Sequence, residues 1–328
     1  MSNSLVEVAM AHPSRTYEDY QIGIICALAT EEAAMVAMLD ETHPKLKRRN
    51  GDQNIYTLGR IGVHNLVIAC LPAGLTGNGP AAIVSTNMQR SFPIKFGLMV
   101  GIGGGVWSEK DDIRFGDVVV SQPTGAYGGV VQWDFGKTGK SGQFQRTGSL
   151  NKPPMVLLHA LQALKRLDDT DRVDIEGSLT LMVRNKPQMG GTYQYQGSDH
   201  DQLFKASYDH EGDDACDACD PKNIVQRPHR TNSTPKIHYG NIASGNGVMK
   251  DGTTRDKIAK ELGVICFEME AAGLIDNFQC LVIRGICDYA DSHKNKIWQS
   301  YAAATAAAVA RALLSVIDEQ EVVKMPGE

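Results

Sequence analysis

The chain has 328 residues, room for one large domain or two modest ones, and an ordinary globular composition of 42% apolar and 22% charged residues. A formal net charge of −5 with no basic block argues against nucleic acid as a partner. Met1 to Glu18 lacks the cationic start and apolar run of a secretory signal, and the alanine-rich stretch Tyr301 to Ile317 contains Arg311, so it reads as a buried helix and not a membrane span.

In chain order, residues 1–19 read as a loose polar leader and residues 20–320 as a single α/β domain. Gln21 to Leu28 is a continuous apolar strand, with a helix over Glu31 to Leu39. Ile55 to Leu58 and Leu66 to Ala73 read as strands, Gly74 to Gly79 as a glycine loop, and Pro80 as the first helical position after it. Phe96 to Gly101 is a buried strand running into Gly101-Ile102-Gly103-Gly104-Gly105. Asp117 to Ser121 and Gly129 to Phe135 add strands, and Pro153 to Leu167 a helix. Residues 168–235 are polar with little periodicity and read as an insertion of loops and short elements. Ile237 to Ser244 resumes the strand pattern. Gly263 to Phe267 then reads as a short strand, Glu270 to Phe278 as a helix and Cys280 to Cys287 as a strand. The alternation predicts a mixed central sheet flanked by helices.

Two acidic sites stand at the ends of apolar runs: Glu268-Met269-Glu270, and Asp288 with Asp291 in Cys287-Asp288-Tyr289-Ala290-Asp291. In an open α/β sheet, substrates bind outside the carboxyl ends of strands, where these acids fall. Read alone, each is a helix-starting acid or a solvated turn.

Together, these segments resemble the nucleoside phosphorylase/nucleosidase superfamily, especially its methylthioadenosine/S-adenosylhomocysteine nucleosidases and the related purine nucleosidase-like domains of filamentous fungi. The resemblance covers roughly Gln21 to Asn151 and Ile237 to Ile317. It implies a nucleoside phosphorylase-like fold and cleavage of an N-glycosidic bond through an oxocarbenium-like ribosyl cation, in which a carboxylic acid serves the leaving group and a carboxylate the water.

By the resemblance, Asp288 protonates the purine, with Cys287 where the family carries serine. An acid role needs a raised pKa, expected from burial or from Asp291. Glu31 serves the water side, with Glu32 in reserve; without the resemblance, Glu31 is a helix-starting glutamate beside a capping Thr30. Glu270 accepts from the ribose 2′ and 3′ hydroxyls. Met269 lies under the sugar or, equally, in the core. Gly103 and Gly104 let the backbone approach the sugar. Ser244-Gly245-Asn246-Gly247-Val248 resembles the base-binding loop, with Asn246 in place of the family's acid and Val248 in place of its aromatic. The segment matching the 5′ pocket, Tyr127 to Phe135, carries Gln132 and Asp134. The family's phosphorylases hold phosphate with arginines where this chain reads Met99-Val100 and Ala29-Thr30, which favours water as the nucleophile.

Cys216-x-x-Cys219, with His210 and His229 nearby, leaves open a structural zinc, a disulfide or free thiols. The other five of the seven cysteines lie in apolar runs, which fits a reducing compartment and a cytoplasmic location. The expected activity is hydrolysis of inosine, adenosine or guanosine without a metal or cofactor at the bond, by a homodimer whose partner is the small-molecule nucleoside. The alternatives are a phosphorylase, a methylthioadenosine nucleosidase, and a non-catalytic nucleoside-sensing module. Fungal relatives join this domain to repeat and signalling modules, whereas this chain ends soon after its last helix, which favours the enzyme.

Overall fold

The computed structural model describes residues 15–212 and 216–325. Most of the expected leader, residues 1–14, lies outside them. Its end is packed: Tyr17–Asp19 forms a 3-10 turn, and the Tyr17 ring centroid stands 5.1 Å from that of Phe92.

The chain begins with β1 (Ile22–Cys26), α1 (Ala29–Ala37), β2 (Glu41–Thr42), β3 (Tyr56–Ile61), β4 (His64–Cys70) and α2 (Asn78–Ser91). It continues through β5 (Phe96–Gly105), β6 (Val118–Ser121), β7 (Val130–Gln132), the small hairpin β8 (Gly136–Thr138) and β9 (Phe144–Arg146), α3 (Met155–Asp168) and α4 (Ile175–Asn185). After the insertion come β10 (Ile237–Ser244), α5 (Gly252–Leu262), β11 (Val264–Glu268), β12 (Cys280–Asp288), α6 (Gln299–Ser315) and α7 (Glu319–Lys324).

Apart from the separate β8–β9 hairpin, the strands form one mixed sheet in the order β11-β10-β6-β12-β5-β1-β4-β3-β2, with β7 beside β10. Parallel pairs run through β4, β1, β5 and β12, whereas β12 meets β6 antiparallel. β11 also turns back onto β5, pairing Cys266 with Gly105 and Phe267 with Gly104, so this half of the sheet closes on itself. That closure explains why β5 continues through the glycines after Gly101: β12 and β11 supply partners on both sides. One face packs on α1, α3, α4 and α6, and the other on α2 and the segment around Phe278. The alanines of α6 bring it close to β12; a Cβ on Gly285 would overlap the Ala302 backbone.

Three expectations need correction. Glu270 to Phe278 is not a regular helix but a 3-10 turn, Ala271–Gly273, followed by single turns. The Glu268 carboxylate takes the amides of Glu270 (3.0 Å) and Ala271 (3.0 Å), and Gly273 lies where a side chain would strike the Asn78 backbone. Pro80 is the third residue of α2 and not the first, because Gly77, at φ 93°, starts that helix. Residues 168–235 hold a true helix, α4, capped by Asp174 Oδ1 accepting from Gly177 N at 2.7 Å. Its Ile175 and Met182 are buried, and Leu179 packs between them against the core. No helix among the described residues is long and apolar enough to cross a membrane.

Candidate active site

At the carboxyl ends of β1, β5, β11 and β12 lies a cavity of about 170 Å³. Glu31, Gly103, Gly104, Val248, Met269, Glu270 and Asp288 all line it, so the fold gathers residues spread from position 31 to position 288. Gly103 and Gly104 are needed there: a Cβ would stand 2.8 Å from Cys266 Sγ at the first and 2.7 Å from Asp288 Oδ1 at the second.

Asn246 is not among the lining residues. Its Oδ1 accepts from Asn78 N at 3.0 Å, and its own amide donates to Asp134 Oδ2 at 2.7 Å. Gln132 is spent in the same way, donating to Asp134 Oδ1 at 3.2 Å. Neither Gln132 nor Asp134 reaches the cavity, so the expected 5′ contacts are corrected to a brace beneath the Ser244–Val248 loop. Val248 lines the mouth but is 52% exposed.

Glu31 is the third residue of α1 and closes the helix start itself. Its Oε2 accepts from Ala27 N (2.7 Å) and Leu28 N (2.8 Å), and its Oε1 from Ile102 N (2.7 Å). Thr30 is inside the helix and caps nothing. The carboxyl is therefore both a cap and a wall of the cavity.

The sequence reading missed the centre of the charge network. Arg284, 1% exposed in the middle of β12, donates through Nη2 to Glu268 and to Glu270 Oε2 (3.3 Å), with Nη1 4.0 Å from Glu31 Oε1. One guanidinium faces three buried carboxyls and cannot balance them all. Burial accordingly pushes Glu270 up to about 7, opposed by Arg284 and reinforced by Glu268 and Glu31. Burial also raises Glu31, against Arg284 and the three backbone amides. Glu270 Oε1 is oriented by Gly77 N at 3.3 Å. An arginine in an otherwise apolar strand is a signal available in sequence, since such a charge requires acidic partners.

Asp288 was expected to feel Asp291, but Asp291 is committed elsewhere. It pairs with Arg255 (3.4 Å) and His293 (3.6 Å), and its carboxyl is lowered: burial alone would raise it, but those partners outweigh it. The group facing Asp288 is Lys294, whose Nζ donates to Oδ1 at 2.6 Å, while Ala290 N donates to the same oxygen at 2.8 Å. That amide is aimed by a left-handed Ala290, φ 51°, an uncommon conformation for a residue with a Cβ and one typical of functional turns. Nothing in the sequence singled out Lys294.

Buried carboxyls, a buried arginine and a closed mixed sheet meet at the strand ends of this α/β protein. The Phosphorylase superfamily model matches residues 21–318, and the chain belongs to that superfamily. The chain is 45% identical over 322 residues to a nucleotide-binding leucine-rich repeat (NLR)-like protein of Hyaloscypha variabilis, covering 98% of this chain but only 31% of that protein. It is 22% identical over 306 residues to a 5′-methylthioadenosine/S-adenosylhomocysteine nucleosidase of Mycobacterium tuberculosis, covering 90% of this chain and 96% of that one. Among solved structures, the nucleosidase of that name from S. pneumoniae, bound to a transition-state inhibitor, shares the fold with a TM-score of 0.57. It is 20% identical, covering 91% of this chain and 100% of that one.

Proposed function

We propose that this chain is a purine nucleosidase: a purine ribonucleoside and water give free base and ribose. The observation that carries the reading is the joint lining of one cavity by Glu31, Glu270 and Asp288. In this reading Asp288 delivers a proton to the purine as the glycosidic bond breaks, Glu31 orients and deprotonates water, and Glu270 holds the ribose diol beside the developing cation. Residues 20–320 act as one unit, with 168–235 as an insertion, in a cytoplasmic two-fold dimer; the exposed Val248 at the cavity mouth supports a covering second copy.

Water is favoured over phosphate because Arg284 is already matched by three carboxyls and Lys294 by Asp288. A methylthioadenosine nucleosidase is the second reading: Val248, Met249, Met269 and Phe267 give the cavity an apolar side, and Gln132 and Asp134 of the segment matching the 5′ pocket do not line it. A third reading, a non-catalytic nucleoside-sensing module, is supported by the likeness to a longer NLR-like protein of which this chain spans 31%.

The test is a chromatographic assay of inosine, adenosine, guanosine, 2′-deoxyadenosine and 5′-methylthioadenosine, with and without phosphate, on a preparation sized by light scattering. The expected result is phosphate-independent ribose release by a dimer, with the deoxy analogue roughly tenfold to hundredfold poorer for the lost bond to Glu270. Strict phosphate dependence with ribose 1-phosphate as product would overturn hydrolysis, and a clear preference for the methylthio substrate would select the second reading.

Glu270 makes a pH prediction. Its raised value keeps it protonated, and the ionised form with two acceptor oxygens appears as pH rises through about 7. KM for a ribonucleoside should therefore fall between about pH 6 and about pH 8, and Glu270→Gln should flatten that dependence. The folded state binds this proton more tightly than the unfolded one, so this group's stability contribution declines as pH rises from the ordinary glutamate value to about 7. A KM that is level with pH in the native protein would remove Glu270 from the sugar site.

A further inference from the structure

The insertion carries side chains that the cavity chemistry does not use. His210, Cys216 and Cys219 bring a ring nitrogen and two sulfurs within 4.8 Å of one another. Both thiols are free, and His229 stands outside the group. We propose that His210, Cys216 and Cys219 form a zinc site that locks the insertion onto the loop carrying Asp288.

The donor set favours this metal: thiolates with imidazole select zinc among the common divalent ions, and such ligands sit about 2.0–2.3 Å from it. In a tetrahedron that places donors about 3.5 Å apart, a small contraction of the observed group. On binding, two S–H bonds give way to two S–Zn bonds and two protons leave to solvent. A second, independent feature stands beside the group. The His293 ring is 5.5 Å from that of His210, its side chain is 4% exposed, its Nδ1 faces Asp291 Oδ1 at 3.6 Å, and its Nε2 has no hydrogen-bond partner among the described residues. A buried imidazole nitrogen without a partner calls for a polar group, and a metal-bound water in the fourth position supplies one.

The site is placed to matter for the acid loop. His210 N donates to Ser292 Oγ at 3.0 Å, Tyr289 OH to Asp201 Oδ1 at 2.5 Å, and Trp298 Nε1 to the His200 carbonyl at 3.2 Å. These bonds join the insertion to the turn that presents Asp288 and Lys294, and the metal would fix the insertion's side of that joint.

The experiment uses the full chain made without a polyhistidine tag. Metal analysis after dialysis should find about one zinc per chain. Exchange with cobalt(II) should give sulfur-to-metal charge-transfer bands, and metal retention should drop at least about tenfold in Cys219→Ser and His210→Ala. Should a variant fail to fold, thiol titration of the native protein reads the same site: Cys216 and Cys219 stay unreactive until a chelator is added. Metal-free protein with both thiols reactive, a Cys216–Cys219 disulfide, or cobalt without sulfur bands would each overturn the proposal. None of these readouts depends on catalytic activity, so they stand apart from the nucleosidase reading.

Discussion

Asp288→Asn should lower kcat on purine ribonucleosides by about 100- to 10,000-fold, the usual contribution of a general acid. The amide keeps the shape of the carboxyl but brings no transferable proton. Its local bonds adapt, because Oδ1 can still accept from Ala290 N and Lys294 Nζ. Nucleoside binding should therefore survive, and the loss should fall on kcat. Near-normal turnover in Asp288→Asn would show that another group protonates the base.

The elements most legible in the sequence were those whose burial is uniform. β1 and β12 are apolar runs buried along their whole length, and the carboxyl ends where the acids sit follow directly from them. The roles of Glu31 and Asp288 came from the family resemblance and not from spacing. What stayed hidden depended on contacts far apart in the chain. The turn after Glu270 is set by the Asn78 backbone and the Glu268 carboxylate, which no local pattern encodes. Asn246 came forward because its loop resembles the family's base-binding loop, with a turn cap as an equal reading, and its side chain turns to the start of α2. α4 was hidden because its short apolar stripe sits inside a polar segment, and its burial comes from α1 and α6 packing over it. Asp291 was read as the neighbour of Asp288 by proximity in sequence, whereas the backbone turn at Ala290 separates them and brings in Lys294.

Arg284→Met should be the most damaging single change to stability. Breaking a buried ion pair by removing one partner typically costs about 3–5 kcal/mol, because the other charge is left unpaired. Here Glu268, Glu270 and Glu31 would all lose their common cation, and each side chain is nearly inaccessible to water. Methionine fills much of the volume, so the loss reports charge more than a cavity. The carboxyls can escape only by binding protons. Burial already raises Glu31 and Glu270 above their ordinary values, and removal of the guanidinium raises them further. Protons are then bound more tightly in the folded state than in the unfolded one, so the variant's stability must fall as pH rises. Urea unfolding should show a loss that is small near about pH 5 and approaches the full 3–5 kcal/mol near about pH 8, with an unchanged denaturant slope. A loss of equal size at both pH values would mean that Arg284 acts through packing, and the three carboxyls would then need another source of compensation.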